Sequence, residues 1–276
     1  MAVLHTPSVK RVLSRARGAW MLFDWAAQPY HTLITAFIFA PYFATQVVGD
    51  AVRGQEIWGL VQGATGFVIA VAAPFIGALS DRSGRLKSIL LAVSAVYVIG
   101  CLALWEARPG AIIVASLAVA TAGFAIEIAA VLTNALLPRL AASGRIGALS
   151  GSAWALGFAG GLVSLGLVLA LLAPFAQSQL TIAGVTPLFG LAALDGGPAR
   201  VTGPFSAVWY AVFVLRLWVG VPSWRTRSAS AATPRRSAGG RSGSGRPGVG
   251  RLVAGGLAWL GARVAGWGGG GGVGAG

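Results

Sequence analysis

Acidic residues are nearly missing from this sequence. Its 276 residues hold seven Asp and Glu against 21 Lys and Arg, and no acid follows Asp195. Charge of either sign is scarce, at 10% of residues, where soluble domains carry about a quarter. Cysteine occurs once, at Cys101 inside an apolar run, which excludes an internal disulfide and leaves packing as its role. With two histidines, His5 and His31, there is no Cys/His zinc spacing, and neither a metal nor a cofactor is expected. HExxH is absent, as is GxSxG near a histidine, and no paired aspartates fall at membrane depth. An intramembrane enzyme is therefore not expected.

What the chain has instead is apolar length. It is 56% hydrophobic with a mean hydropathy of +0.76, more apolar surface than a soluble fold of this size can hide. A helix needs about 20 apolar residues to cross a bilayer. Six segments meet or approach that length: about 20–47, 57–79, 88–105, 111–137, 146–174 and 205–222. The expected fold class is all-α, a polytopic membrane protein of six transmembrane helices. The first apolar stretch is too long for a signal-peptide core and is interrupted by Asp24, so a cleaved leader is not expected.

Basic residues alternate between the connectors. Lys10, Arg11, Arg15 and Arg17 precede the first span; Arg82, Arg85 and Lys87 follow the second; Arg139 and Arg145 follow the fourth; Arg225 and Arg227 follow the sixth. The opposite connectors hold only Arg53, Arg108 and Arg200, each with an acid nearby. This pattern predicts cytoplasmic N- and C-termini in the cell's inner membrane, with residues 1–19 as a basic cytoplasmic lead.

Ionisable groups inside a span are costly and usually face a cavity or a partner. Asp24, Gln28 and His31 are spaced i, i+4 and i+7, which puts them on one helix face. Glu127 and Asn134 are likewise seven apart in the fourth span. At about 1.5 Å per residue, Asp24 lies roughly 6 Å inside the cytoplasmic boundary and His31 about 17 Å. Because the fourth span runs the other way, Asn134 should lie near the depth of Asp24, and Glu127 near that of Gln28. The two stripes are expected to face each other across one cavity. Interfacial pairing of Asp24 with Arg15 or Arg17, and a plain helix-to-helix hydrogen bond for His31, are the open alternatives. Gly147-xxx-Gly151 and Gly157-xxx-Gly161 in the fifth span predict close helix approach. Arg216 has no evident partner in the sixth span.

The stretch "GALSDRSGRLK" (77–87) resembles the cytoplasmic signature loop between the second and third helices of major facilitator superfamily transporters. "WMLFDWAAQPYHTLITAFIFAPYF" (20–43), "NALLPRLA" (134–141) and "RIGALSGSAWALGFAGG" (145–161) resemble the vacuole-effluxer branch of that superfamily. The resemblance spans about residues 15–215. It implies one six-helix half of a twelve-helix transporter that works by alternating access. It also implies export of a small polar solute, with amino acids as the class linked to fungal members. Gly77, Asp81, Arg82, Gly84 and Arg85 match the signature loop, whose glycines permit a tight turn and whose charges latch helix ends. The partners implied are the lipid bilayer, a small-molecule substrate, and a second half or a second copy. The competing expectation is an inactive half-transporter or a membrane scaffold.

The net charge of +14 resembles a nucleic-acid signal, but ten of the nineteen arginines lie at or beyond Arg200. Nucleic acid is not an expected partner of the membrane region. Residues 223–276 are Gly-, Arg-, Ser- and Ala-rich without a folding period and read as disordered. One reading is a tail for RNA or anionic lipid. The favoured one is a GC-rich reading frame translated out of register from near residue 215, so that the second half is missing. Translating the gene in its other two frames beyond codon 210 checks this: further membrane spans are expected in one of them, and none in either overturns it.

Overall fold

The computed structural model describes residues 7–141, 145–174, 178–191 and 196–220. The expected disordered tail, 223–276, and the first six residues lie outside the described residues. Among the described residues every regular element is a helix. Helix α1 (Pro7–Pro29) continues as a π-helical segment (Tyr30–Phe37), a short α2 (Phe39–Tyr42) and a second π-helical segment (Phe43–Val47). Then follow α3 (Ala51–Ser83), α4 (Leu86–Ala103) with a 3-10 turn (Leu104–Glu106), and α5 (Ile112–Asn134). The remainder is α6 (Leu137–Leu140), α7 (Ile146–Leu171), a 3-10 turn (Leu188–Gly190), α8 (Gly197–Arg200) and α9 (Thr202–Gly220).

Among the described residues, four helices are long and apolar enough to cross a membrane: Ala51–Ser83, Leu86–Glu106, Ile112–Asn134 and Ile146–Leu171. Their outward faces fit that environment. Phe67 is 71% exposed, Phe75 72%, Ile113 75% and Trp154 67%, a surface suited to lipid tails rather than to water. This is a helical membrane protein.

Local sequence sets the ends. Asp50 caps α3, its carboxylate accepting the Arg53 N–H at 2.9 Å. At the other end Gly84 adopts φ +62, and its N–H returns to the Ser80 carbonyl at 3.1 Å. The first stretch departs most from expectation. It begins at Pro7 rather than near residue 20, and beyond Pro29 it is not regular α-helix. Proline removes a backbone donor there, and the ladder re-forms with bonds to the fifth residue.

Side-chain donors along the first stretch fix its direction against α5. Arg17 Nε donates to the Leu140 carbonyl (2.7 Å), Trp20 Nε1 to Thr133 (2.9 Å), Tyr30 Oη to Val119 (2.9 Å) and Tyr42 Oη to Ala107 (2.7 Å). One set of numbers rises as the other falls, so the two elements are antiparallel. Helix α7 runs parallel to α1, since Asp24 meets Gly157 while Thr32 meets Gly161. Helices α4 and α9 are antiparallel: Ser94 bonds Tyr210 at 2.9 Å, while Arg200 Nε reaches the Trp105 carbonyl at 2.6 Å.

The packing repeats itself. Helix α1 packs on α7 and α9, α5 packs on α3 and α4, and α4 packs on α9. Exchanging α1 with α5, α3 with α7 and α4 with α9 leaves that pattern unchanged. Two three-helix units therefore pack as an inverted pair. Small residues allow it: a Cβ on Gly100 of α4 would meet the Ala122 backbone N of α5 at 2.7 Å.

Replacing Gly100 with Ala should therefore destabilise the bundle by about 1–3 kcal/mol through overpacking. Gly151→Ala on α7, with nothing within 4 Å of its Cβ position, should instead stabilise by about 0.5–1 kcal/mol. Thermal unfolding of the two variants in detergent measures both. Equal midpoints would contradict the packing described.

Candidate functional site

The polar residues singled out from sequence gather along α1 and α5. Asp24 and Gln28 are half-buried on α1, and their stems lie along α7. A Cβ on Gly157 would stand 3.1 Å from the Asp24 Cβ, and one on Gly161 would stand 2.7 Å from the Gln28 Cγ. Trp25, between them, meets Gly160. So Gly157, Gly160 and Gly161 form the seat of α1. The other small-residue pair, Gly147 and Gly151, has open space around it.

His31 lies in the first π-helical segment, half-buried, edge-on to the Tyr30 ring at 5.5 Å. Glu127 is half-buried on α5. Asn134 is the exposed last residue of α5. The antiparallel Trp20–Thr133 and Tyr30–Val119 hydrogen bonds bracket Asp24 on α1 and Glu127 on α5 within one stretch, while Asn134 lies just beyond Thr133.

Sequence reasoning missed the aromatic layer behind this pair. Tyr30 packs on Tyr97 (6.0 Å between centroids), Tyr97 on Tyr210 (4.5 Å), and Tyr210 on Phe23 (6.3 Å). Tyr97 and Tyr210 are fully buried. The available signal was chemical: a tyrosine or tryptophan in an apolar run must place its O–H or N–H somewhere. Among the described residues, no three His, Cys, Asp or Glu side chains form a group able to hold a metal ion.

The signature stretch is mostly helix. Gly77, Asp81 and Arg82 lie within α3, the last two exposed, and the turn itself consists of Gly84 and Arg85. Arg85, exposed, donates its backbone N–H to the Ser83 hydroxyl at 3.3 Å. Of the two glycines expected to permit the turn, only Gly84 has the left-handed backbone that requires one. Gly77 is an ordinary helical residue, with nothing within 4 Å of a built Cβ. Neither a family model, nor a curated protein, nor a solved structure matches the chain.

Substituting Gly84 by Ala should cost about 1–2 kcal/mol, the penalty of a left-handed backbone for a residue with a Cβ. Gly77→Ala should be neutral or stabilising by up to about 1 kcal/mol. Unfolding midpoints in a mixed-detergent titration distinguish them, and a reversed order would show that the turn is misassigned.

Proposed function

We propose that this chain is a six-span transporter of the cell's inner membrane, with both termini cytoplasmic, which moves a small polar solute of the amino-acid class by alternating access coupled to protons. The carrying observation is that two half-buried carboxylates, Asp24 and Glu127, lie on antiparallel helices within the stretch bracketed by the Trp20–Thr133 and Tyr30–Val119 bonds. Carboxylates at membrane depth are expensive to keep without a task. When ionised they attract the ammonium group of a solute; when protonated they release it. That exchange is the chemistry a proton-coupled carrier needs. His31 and Gln28, along the same helix, supply further polar contacts for a zwitterion.

Three other features support the reading. The inverted three-plus-three packing is the arrangement from which many transporters are built. The first helical stretch passes from α- to π-helix at Pro29, an irregularity frequent at functional sites. The resemblance of residues 77–87 to the facilitator signature falls on a tight turn between two long apolar helices. Its charged residues Asp81, Arg82 and Arg85 are exposed, in keeping with the latch role that the resemblance assigns them.

A second reading is a half-transporter or scaffold that acts only when α3 is covered by a second half or a second copy. It draws on the row Phe67, Val71, Phe75 and Leu79, all exposed along α3.

The test is flux of labelled amino acids into or out of liposomes holding the full chain under an imposed pH gradient. Flux that a protonophore abolishes is expected, and Glu127→Gln should reduce it at least about tenfold, the loss of roughly 1.4 kcal/mol of differential interaction between protonation states. Flux unchanged in Glu127→Gln removes the proton role. No flux from the chain alone, restored by co-reconstituting a second half, favours the second reading.

A further inference from the structure

Pro29 has no amide hydrogen, so the bond that the Trp25 carbonyl would accept from the fourth residue onward in an α-helix cannot form. The pyrrolidine ring also crowds that carbonyl outward. The indole of Trp209, on α9, donates to this same oxygen at 3.0 Å. Its ring is stacked on that of Trp25, with centroids 5.7 Å apart and planes 22° apart. On the α7 side Gly160 leaves room: a Cβ there would stand 3.0 Å from the Trp25 carbonyl oxygen. A side chain of another helix thus occupies the position that proline left without a donor.

The backbone changes character at the same place. Tyr30–Phe37 is π-helical, ending with the Ile38 N–H bonded to the Leu33 carbonyl at 3.0 Å. Sharp bends in long helices arise at prolines and at π-bulges, and here the two are adjacent. Trp209 is itself held between Phe205 (5.7 Å) and Phe213 (5.0 Å) on α9. The donor therefore belongs to a fixed aromatic row and not to a freely moving side chain.

We propose that α1 hinges at Pro29 and that Trp209 is the latch holding the hinge in the present geometry. Bending α1 away from α9 withdraws the Trp25 carbonyl from its donor. In a hydrocarbon setting no water replaces it. The bend therefore proceeds only when α9 follows or when the segment 30–38 rewinds to supply another donor. The position of α9 and the curvature of α1 become one variable. This inference stands on the backbone chemistry of Pro29 and is independent of what is transported.

The experiment uses the full chain in nanodiscs with Thr35→Cys as a reporter in the π-helical segment; Cys101, fully buried, serves as the slow internal reference. Trp209→Phe keeps the stacked ring and removes only the N–H. Labelling of residue 35 by a water-soluble maleimide should quicken about three- to tenfold, the factor corresponding to one net hydrogen bond. In a Pro29→Ala background, where position 29 carries a backbone N–H again, Trp209→Phe should leave the rate unchanged. No increase in the proline background, or the same increase in both, overturns the latch. Should Pro29→Ala not fold, hydrogen exchange on the parent and on Trp209→Phe decides: faster exchange confined to residues 30–38 supports the hinge, while unchanged or uniformly faster exchange refutes it.

Discussion

A polar hydrogen carried into lipid favours an acceptor within the protein, and four side chains of the first helical stretch find theirs on the carbonyls of α5 and its flanks. Arg17, Trp20, Tyr30 and Tyr42 donate to four of them in reverse order. These bonds fix direction, offset and rotation together. The closeness of Tyr30 to Gly123, where a Cβ would stand 2.6 Å from the hydroxyl, follows from them. Anchoring against α5 and its flanks leaves the opposite side of α1 to α7 and α9.

On that side the determinant is size. Glycines at 157, 160 and 161 let α1 approach α7 until Asp24, Trp25 and Gln28 rest against backbone. Glycine at 203 does the same between α9 and the Cys101 carbonyl, and glycine at 54 between α3 and Ala44. Without a hydrophobic driving force between helices in lipid, such close approach is what gives association its energy. Asp24 is thus held on a framework of small residues, with the bulky aromatics filling the layer behind.

The helical class was legible from composition and apolar run length, and the four long apolar helices begin and end within a few residues of their expected bounds, except α3. That helix runs to Ser83 because Asp81, Arg82 and Ser83 complete its last turn before Gly84 stops it. Charge misled there: a charged stretch reads as loop, yet helix ends tolerate it at an interface. The offsets between helices were not legible, because span counting carries no information about them. The tryptophan and tyrosine bonds that hold those offsets join residues 65 to 113 positions apart, beyond the reach of any local pattern.

The π-helical segments have a consequence for how this chain can vary. Each holds its ladder with bonds to the fifth residue, as Leu33 to Ile38 and Phe43 to Val48 do, and so contains more residues per turn than the α-helix around it. Deleting one residue between 30 and 37 would let that segment relax to α-helix. Everything after it would keep nearly its present rotation, because the wider turn already takes up that residue. Tyr42 would stay by the Ala107 carbonyl while Trp20 kept Thr133. A one-residue deletion in the regular helix between Trp20 and Pro29 would instead turn the two ends against each other by about 100°, so a change of length is absorbed in the π-helical segment and not in the helix before it.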